Sequence, residues 1–300
     1  MNDESDYRCG LVAVIGRPNV GKSTLINAVM GRKVSIVTAK PQTTRHRILA
    51  VHTADTEQII FVDTPGLHRK SGKAMNRMMN RTAANALADA DLILFVSDAT
   101  QWTSEDDDVL ERLSSSRAPI IALLNKVDKV HPKPKLLEAL ATMAARAEFV
   151  ELMPISALKN DNLDLLMTTI PGYLPKSPPL FPEDMHTDRS EEFHVAEIIR
   201  EKLTLMLHQE MPYGLTVQIE RLVREDSGIA ISAVIWVERD SQKGIAVGKN
   251  GGVLKKVGRA ARLDIVDLLG QRVHLELWVK VKNNWADNEK DLLSLGYDAP

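Results

Sequence analysis

The first half of the chain alternates short apolar runs with segments in which apolar residues recur every three or four positions. Apolar runs of about five residues, bounded by turn-forming residues, predict buried strands. These predicted strands cover residues 11–15, 48–52, 57–62, 92–96, 119–124 and 150–155, and residues 33–37 form a shorter extended piece. Helices are predicted to begin at residue 24 and to cover 75–88 and 105–112. This alternation predicts an α/β domain with a mostly parallel sheet and helices on both faces.

A different pattern occupies the second half of the chain. Residues 193–207 carry a helical apolar face, strands are predicted over 215–223, 229–237 and 273–282, and a further helix ends near residue 269. Strands with helices on one face form an α+β layer. Prolines concentrate between the halves, from Pro171 to Pro182, and such connectors are extended and stiff. We therefore predict a domain over residues 1–175, a proline-rich linker over 176–192 and a second domain over 193–300.

The segment after the first strand fits the phosphate-binding pattern G-x-x-x-x-G-K-[ST], in the strand–loop–helix context that this pattern requires. Glycines let backbone N–H groups surround phosphate oxygens, and the start of the helix adds the positive end of its dipole. Lys22 is expected to reach the β- and γ-phosphates, and the Ser23 hydroxyl to ligate Mg²⁺. The predicted nucleotide-binding residues of this loop are Gly16, Arg17, Pro18, Asn19, Val20, Gly21, Lys22, Ser23 and Thr24.

An acidic, glycine-containing turn follows the strand at 57–62. Ligands of open α/β sheets bind at the carboxyl ends of the strands. Asp63 is expected to hold a water molecule on the same Mg²⁺, and Gly66 to bring its amide close to a γ-phosphate. The predicted nucleotide-binding residues of this turn are Asp63, Thr64, Pro65, Gly66 and Leu67.

The tetrapeptide Asn125-Lys126-Val127-Asp128 ends another buried strand and indicates which base is bound. The Asp128 carboxylate can accept hydrogen bonds from both N1–H and the N2 amine of guanine, donors that adenine lacks. Polar pockets of this kind discriminate by about 10⁴–10⁵. We expect Asn125 to reach N7, Lys126 to lie along the ring and the Ala157 N–H to contact guanine O6. Ser156 is also a predicted nucleotide-binding residue.

Between the last two predicted strands, Gly248-Lys249-Asn250-Gly251 precedes a helix. It fits the GXXG loop with which KH domains clamp the backbone of single-stranded nucleic acid. Residues 243–262 contain six basic and no acidic residues, which indicates contact with phosphates. The predicted RNA-binding residues are Lys243, Gly248, Lys249, Asn250, Gly251, Lys255, Lys256 and Arg259.

Composition narrows the class of protein. The 300 residues carry a net charge of −2 and one cysteine, Cys9, so an internal disulfide is excluded. No apolar run approaches the roughly 18 residues that span a bilayer, and the acidic start does not resemble a signal peptide. We expect a cytoplasmic protein, with peripheral contact at the inner membrane left open. The acidic run at 105–108 is expected to point outward from a helix rather than to bind a metal.

The motifs at residues 16–23, 63–66, 125–128 and 156–158, together with the segment Gln42-Thr43-Thr44-Arg45, resemble the five sequence boxes of translation-factor-type GTPases, in order and at successive strand ends. By this analogy Thr44 is the second Mg²⁺ ligand beside Ser23, and Thr43 is the alternative. The metal-site residues are therefore Ser23, Thr44 and, through water, Asp63.

Joined to a C-terminal KH domain, this GTPase resembles the bacterial Era family of ribosome-assembly GTPases over almost the whole chain. The closing segment from Leu275 to Val281, with Trp285, is also similar. The resemblance implies a type II KH fold, binding near the 3′ end of 16S ribosomal RNA, and a role in maturing the small (30S) ribosomal subunit. We expect a monomer that binds GTP and GDP.

Many small GTPases orient the attacking water with a glutamine at the position of Leu67, and leucine cannot do this. Slow intrinsic hydrolysis is therefore expected. In related GTPases with a hydrophobic residue there, an asparagine at the position of Asn19 helps to hold K⁺ against the phosphates. The predicted catalytic residues are Lys22, Thr44, Gly66 and Asn19.

Two functional hypotheses follow. The protein is a GTP-hydrolysing switch whose nucleotide state controls RNA binding, or it is an RNA-binding assembly chaperone in which GTP is a structural or docking ligand and hydrolysis is incidental.

Overall fold

The computed structural model describes residues 6–40, 42–66, 74–207 and 214–297. These residues divide into two compact units. The first unit comprises residues 6–37, 44–66 and 79–188. The second comprises residues 38–40, 42–43, 74–78, 189–207 and 214–297.

The first unit is built on a six-stranded sheet with the order β2-β3-β1-β4-β5-β6. Only β2 runs antiparallel to its neighbour; the other pairings are parallel. The predicted mostly parallel sheet is confirmed. The strands are β1 (Arg8–Ile15), β2 (Ile48–Thr53), β3 (Glu57–Asp63), β4 (Leu92–Asp98), β5 (Ile120–Asn125) and β6 (Glu151–Pro154). Residues 33–37, predicted to be extended, have no regular secondary structure.

Helices cover the sheet because its strands are apolar at successive positions. Phe95 packs in a core with Val109 and Met143 from two of the helices. Val12 and Val14, which alternate with the core residue Ala13, are also fully buried, as expected for a sheet covered on both faces. The helices α1 (Lys22–Met30), α2 (Ala74–Ala88), α3 (Ser104–Leu113), α4 (Pro134–Ala144) and α5 (Leu163–Thr169) complete the alternating pattern.

The parallel pairing aligns the carboxyl ends of the strands. Val14 pairs with Asp63, Asp98 pairs with Asn125, and Leu124 pairs with Pro154. The segments that follow β1, β3, β5 and β6 therefore meet at one edge of the sheet, and these are the four segments in which the sequence places nucleotide-binding motifs.

The second unit contains a three-stranded sheet with the order β7-β8-β9. Strand β7 is antiparallel to β8, and β9 is parallel to it. Apolar residues of α6 and α8, including Ile199, Val257 and Ala261, share a core with the sheet. The elements are α6 (Glu191–Met206), β7 (Leu215–Glu225), β8 (Gly228–Val237), α7 (Asp240–Val247), α8 (Gly252–Leu269), β9 (Val273–Val281) and α9 (Glu289–Ser294).

The predicted strands and long helices of this unit are confirmed, whereas α7 and α9 were not predicted. No helix within the described ranges combines the length and the apolar character needed to cross a membrane.

The proline-rich segment after Pro175 packs against the edge of the six-stranded sheet. The Val51 N–H donates to the His186 carbonyl oxygen at 3.0 Å, and Thr187 forms a bridge with Ala50 of the edge strand β2. The buried Gln58 amide accepts from the Phe181 N–H at 2.9 Å and donates to its carbonyl oxygen at 2.8 Å. Residues 176–188 are therefore not a free connector, although the boundaries at 175 and 192 stay a prediction.

Candidate functional sites

The loop between β1 and α1 has the shape that its glycines predict. A Cβ atom at Gly16 would collide with the Val96 carbonyl oxygen, and one at Gly21 would collide with the Asn125 amide. Gly21 also adopts φ 105° and Asn19 adopts φ 65°, in the left-handed region that glycine and asparagine tolerate best. Only glycine therefore fits at positions 16 and 21.

Lys22 lies buried under this loop. Its Nζ donates to the carbonyl oxygens of Gly16 at 2.9 Å and Arg17 at 3.1 Å. Burial lowers the pKa of Lys22 to about 8, against the opposing effect of the Asp63 charge. A buried ammonium group favours the binding of an anion, because the negative charge of a phosphate stabilises the charged form of lysine that burial destabilises. Thr24, in the first turn of α1, is half-buried.

Three oxygen atoms from separate segments meet beside Lys22. The Ser23 Oγ lies 2.9 Å from the Thr44 Oγ1 and 2.9 Å from the Asp63 Oδ2. Asp63 is fully buried, and its other oxygen has no hydrogen-bond partner among the described residues. Burial raises the pKa of Asp63 more than the Lys22 charge and the hydroxyl groups lower it. Two hydroxyls and a carboxylate match the oxygen ligands that Mg²⁺ prefers, and the residues fit that ion.

The structure separates the two threonines that the sequence left as alternatives. Thr44 is the one beside Ser23, whereas the Thr43 Oγ1 bonds to the Thr38 Oγ1 at 2.6 Å and to the Lys40 carbonyl oxygen at 2.7 Å. This arrangement favours Thr44 as the metal ligand.

The turn after β3 contacts the phosphate-binding loop directly. A Cβ atom at Gly66 would lie 3.0 Å from the Pro18 Cγ and 3.1 Å from its nitrogen, so the two segments touch with no space for a side chain. The Thr64 Oγ1 donates to the Val14 carbonyl oxygen at 3.0 Å. Pro65, between Thr64 and Gly66 in the chain, is buried. Leu67 lies outside the described residues.

Asn125 holds the base-binding end of the site together. Its Nδ2 donates to the Val20 carbonyl oxygen at 2.8 Å. Its Oδ1 accepts from the backbone N–H groups of Lys126 at 2.8 Å and Ala157 at 3.0 Å. The Ala157 N–H therefore donates to Asn125 in this structure, and its contact with guanine O6 stays a prediction.

Lys126 and Asp128 extend from the same segment. The Lys126 Nζ contacts the Asn19 carbonyl oxygen and the Asp98 Oδ2, each at 2.6 Å, and the Asp128 Oδ1 accepts from the Ser156 Oγ at 2.6 Å. Burial raises the pKa of Asp98, but hydrogen bonds from Lys126 and Thr100 outweigh it and lower that pKa below its usual value. Sequence reasoning missed Asp98, although its position at the end of β4 was a signal for it.

The acidic run at the start of α3 was predicted to point outward from the helix, and for one of its residues this prediction is wrong. Asp106 is fully buried and accepts from the Arg17 Nε at 2.9 Å. It also forms a capping box with Thr103. The spacing Thr-x-x-Asp was the sequence signal for a side chain that turns back toward the helix start.

In the second unit, the loop between α7 and α8 has the tight backbone expected of GXXG. Gly248, Asn250 and Gly251 adopt φ values of 70°, 52° and 73°. A Cβ atom at Gly248 would collide with Val253. Lys249 and Asn250 between the glycines are exposed, so the loop presents backbone and polar groups to solvent.

A groove of about 560 Å³ runs from this loop between α8 and β9. Its rim carries Lys255, Arg259 and Arg262, at helical spacing on one face of α8. Its lining also contains Leu254, Leu275, Leu277, Gly258 and His274, which sequence reasoning missed because β9 comes close only in the fold. The predicted RNA-binding residues Lys243 and Lys256 are exposed but do not line the groove.

Comparisons with known proteins assign both units to families. A model described as "50S ribosome-binding GTPase" matches residues 11–126, and a KH-domain model matches residues 210–286. "GTPase Era" from Vibrio parahaemolyticus is 46% identical over 299 residues, covering 99% of this chain and 93% of that protein. The protein of the same name from Yersinia pestis is 46% identical over 298 residues, covering 99% and 98%.

Two solved structures are similar over nearly the full length. A variant of Era from Aquifex aeolicus bound to GDP and AlF4⁻ has a TM-score of 0.92 and 39% identity, covering 97% of this chain and 100% of that one. A complex of Era with MgGDPNP and nucleotides 1506–1542 of 16S ribosomal RNA has a TM-score of 0.94 and 40% identity, covering 98% and 100%.

Proposed function

Because this chain belongs to the Era family of GTPases, which bind and hydrolyse GTP, we propose that its nucleotide state controls the binding of ribosomal RNA. The RNA is the 3′ region of 16S ribosomal RNA, the segment present in the solved Era complex. Binding through the KH domain assists maturation of the small (30S) ribosomal subunit. The protein acts in the cytoplasm as a monomer.

One observation carries this proposal: the chain joins a γ-phosphate-sensing site to a basic groove. Ser23, Thr44 and Asp63 meet at the end of the phosphate-binding loop, and Gly66 touches that loop. These are the groups that change partners when a γ-phosphate is lost. The groove at α8 has the apolar lining and basic rim suited to single-stranded RNA.

The Ser23 and Thr44 hydroxyls would hold Mg²⁺, and Asp63 would contact it through water. Bound there, the ion would supply positive charge beside the β- and γ-phosphates. Lys22 adds a second positive charge, and the Gly66 amide donates to the γ-phosphate. Together these groups place the terminal phosphate for attack by water.

Asn19 would help to hold a K⁺ ion beside the phosphates. Its side chain is exposed and forms no hydrogen bond with the residues that the structure describes, so its amide oxygen is available to a cation. A positive charge at this position stabilises charge that develops in the transition state.

The proposal is tested by measuring the affinity of the full chain for an RNA of the 16S 3′ sequence, with GDP and with a non-hydrolysable GTP analogue. We expect different affinities in the two nucleotide states, and weak binding to a scrambled RNA of equal length. Equal affinities for the 16S sequence would support the alternative of an assembly chaperone in which hydrolysis is incidental.

A further inference from the structure

We propose that Arg17 and Asp106 form a clamp that positions Pro18 against Gly66 and thereby sets the affinity of the site for GTP relative to GDP. The inference rests on the GTP site described above. Both residues are positioning residues: Arg17 belongs to the predicted nucleotide-binding loop, but its side chain bonds to Asp106 and Gln101, and both residues act through the position of that loop.

Arg17 ties the loop to the segment around the start of α3. Its Nε donates to the Asp106 Oδ2 at 2.9 Å, and its Nη2 donates to the Gln101 carbonyl oxygen at 3.1 Å. The Asp106 side chain is fully buried, and that of Arg17 is 13% exposed. Such a pair is shielded from water, so removal of one partner is far more costly than at the surface.

The capping of α3 does not require a negative charge at Asp106. Its Oδ2 accepts from the Thr103 N–H at 2.8 Å and the Thr103 Oγ1 at 3.0 Å, which caps α3. A neutral amide oxygen performs that role equally well. The Oδ1 is buried with no hydrogen-bond partner among the described residues, a costly state for a carboxylate. Arg17 is the cation that compensates this charge, which links the carboxylate to the loop.

The effect reaches the γ-phosphate position through Pro18. Arg17 precedes Pro18 directly, so the clamp restrains the backbone on which Gly66 rests. A Cβ atom at Gly66 would lie only 3.0–3.2 Å from three atoms of Pro18, so the two residues pack closely and a shift of Pro18 changes the surface against which Gly66 is placed. Gly66 is the residue whose amide meets the γ-phosphate. GDP lacks that phosphate, so loosening the clamp penalises GTP and spares GDP.

The test measures affinities for GDP and for a non-hydrolysable GTP analogue, each with Mg²⁺, in Arg17→Gln and Asp106→Asn. Both substitutions retain polar side chains of similar size and remove the ion pair. We expect the analogue-to-GDP affinity ratio to fall by about tenfold in each, since small misplacements at such sites have effects of this order. The double variant should resemble the single variants, because both remove the same interaction.

Asp107→Asn is the matched control. Asp107 is the next residue of α3 and pairs with Arg146 at 2.6 Å, but this pair is exposed, so the affinity ratio should not change. Arg17→Lys keeps the charge without the second hydrogen bond, and its ratio should be intermediate. It serves as the test if Arg17→Gln does not fold.

Two results would overturn the proposal in distinguishable ways. A lowered Tm with a wild-type affinity ratio in the clamp variants would make the pair a structural cap only. Failure of the wild-type protein to bind either guanine nucleotide would refute the nucleotide site itself, and the clamp with it.

Discussion

Asn125 shows how one side chain can connect motifs that are far apart in the sequence. Its amide joins Val20 of the phosphate-binding loop to Lys126 and to Ala157. Gly21 must lack a side chain partly because the Asn125 amide occupies that space. The glycine is required by a residue about a hundred positions later, a dependence that a local motif does not reveal.

Asp128→Asn should reverse base selection. The amide keeps one oxygen that can accept from N1–H but presents an N–H donor to the N2 amine of guanine, whereas xanthine offers a carbonyl acceptor at that second position. We expect GTP affinity to fall by at least about 10²-fold and xanthosine triphosphate to bind better. Calorimetry with GTP, ATP and xanthosine triphosphate in the presence of Mg²⁺ measures this.

Asp164→Asn, an exposed acid on α5, is the control for that experiment and should bind GTP normally. Equal binding of ATP and GTP by the wild-type protein would contradict the assignment of Asn125–Asp128 to guanine.

Asn19→Ala should abolish any preference of GTP hydrolysis for K⁺ over Na⁺. The wild-type protein is expected to turn over faster in K⁺, because a correctly placed cation stabilises transition-state charge. Turnover numbers in matched potassium and sodium salts measure the effect. Asn19→Gly removes the same side chain and tolerates the φ of 65°, so backbone strain is controlled. Unchanged salt preference in both variants would exclude Asn19 as a K⁺ ligand.

At the scale of elements, α8 carries the RNA-binding hypothesis. Lys255, Arg259 and Arg262 lie on the face of α8 that borders the groove, while Val257, Ala261 and Ile265 face the core. The helical period therefore places the basic residues, which we expect to contact phosphates, on one face of α8 and the core residues on another. Lys256 lies on neither of these two faces. A count of basic residues in the sequence does not separate it from those that border the groove.

Lys255→Ala and Arg259→Ala should each weaken binding to the 16S 3′ RNA several-fold. Each removes one phosphate contact, so the slope of log affinity against log salt concentration should decrease by about 0.7. Fluorescence anisotropy over a salt series measures both quantities. Lys280→Ala is the control, since Lys280 pairs with Glu220 at 2.8 Å outside the groove. A salt slope identical to that of the wild type would argue against phosphate contacts by α8.

Sequence patterns predicted the elements of this fold well wherever periodicity extended over several residues. Strands such as β4 and β9 are confirmed to within about two residues, because apolar runs and strict alternation survive in three dimensions. Helices α4, α5, α7 and α9 were missed. The last three have eight residues or fewer, and so few positions establish no helical period.

The sequence indicated which candidate-site residues lie close together better than it indicated which side chains are buried. Strand-end motifs located Ser23, Asp63 and Asn125, because parallel strands end at one edge of the sheet. Asp106 was misjudged because a capping side chain turns inward against the local polar pattern. The apolar lining of the groove was not predicted, because it combines residues of α8 with residues of β9 that come close to them only in the folded protein.

At the scale of the whole molecule, each unit has its own core, and the segment before Asp188 belongs to the first. Gln58 is completely buried in β3, and its amide is satisfied by the backbone of Leu180 and Phe181. Phe181 also packs against a core that contains Val51 and Ile60. A segment that composition describes as a connector thus completes the packing of the sheet.

A fragment of residues 1–188 should therefore be more stable than one of residues 1–175. Ending at 175 removes the three hydrogen bonds between the Gln58 amide and the backbone of Leu180 and Phe181 together with the packing of Phe181, at a combined cost of about 3 kcal/mol. For a domain of this size that corresponds to roughly 10 °C in Tm. Thermal unfolding with bound GDP measures the difference, and equal Tm values would show that the segment adds no stability.

The same segment has a consequence for exchanging parts between proteins of this architecture. It occupies the open hydrogen-bonding side of β2, through His186 and Thr187, and an uncovered strand there invites pairing with another molecule. A chimaera that supplies a foreign RNA-binding module should therefore be joined after Asp188. A junction placed within the prolines would yield a catalytic half that self-associates, whatever module it carries.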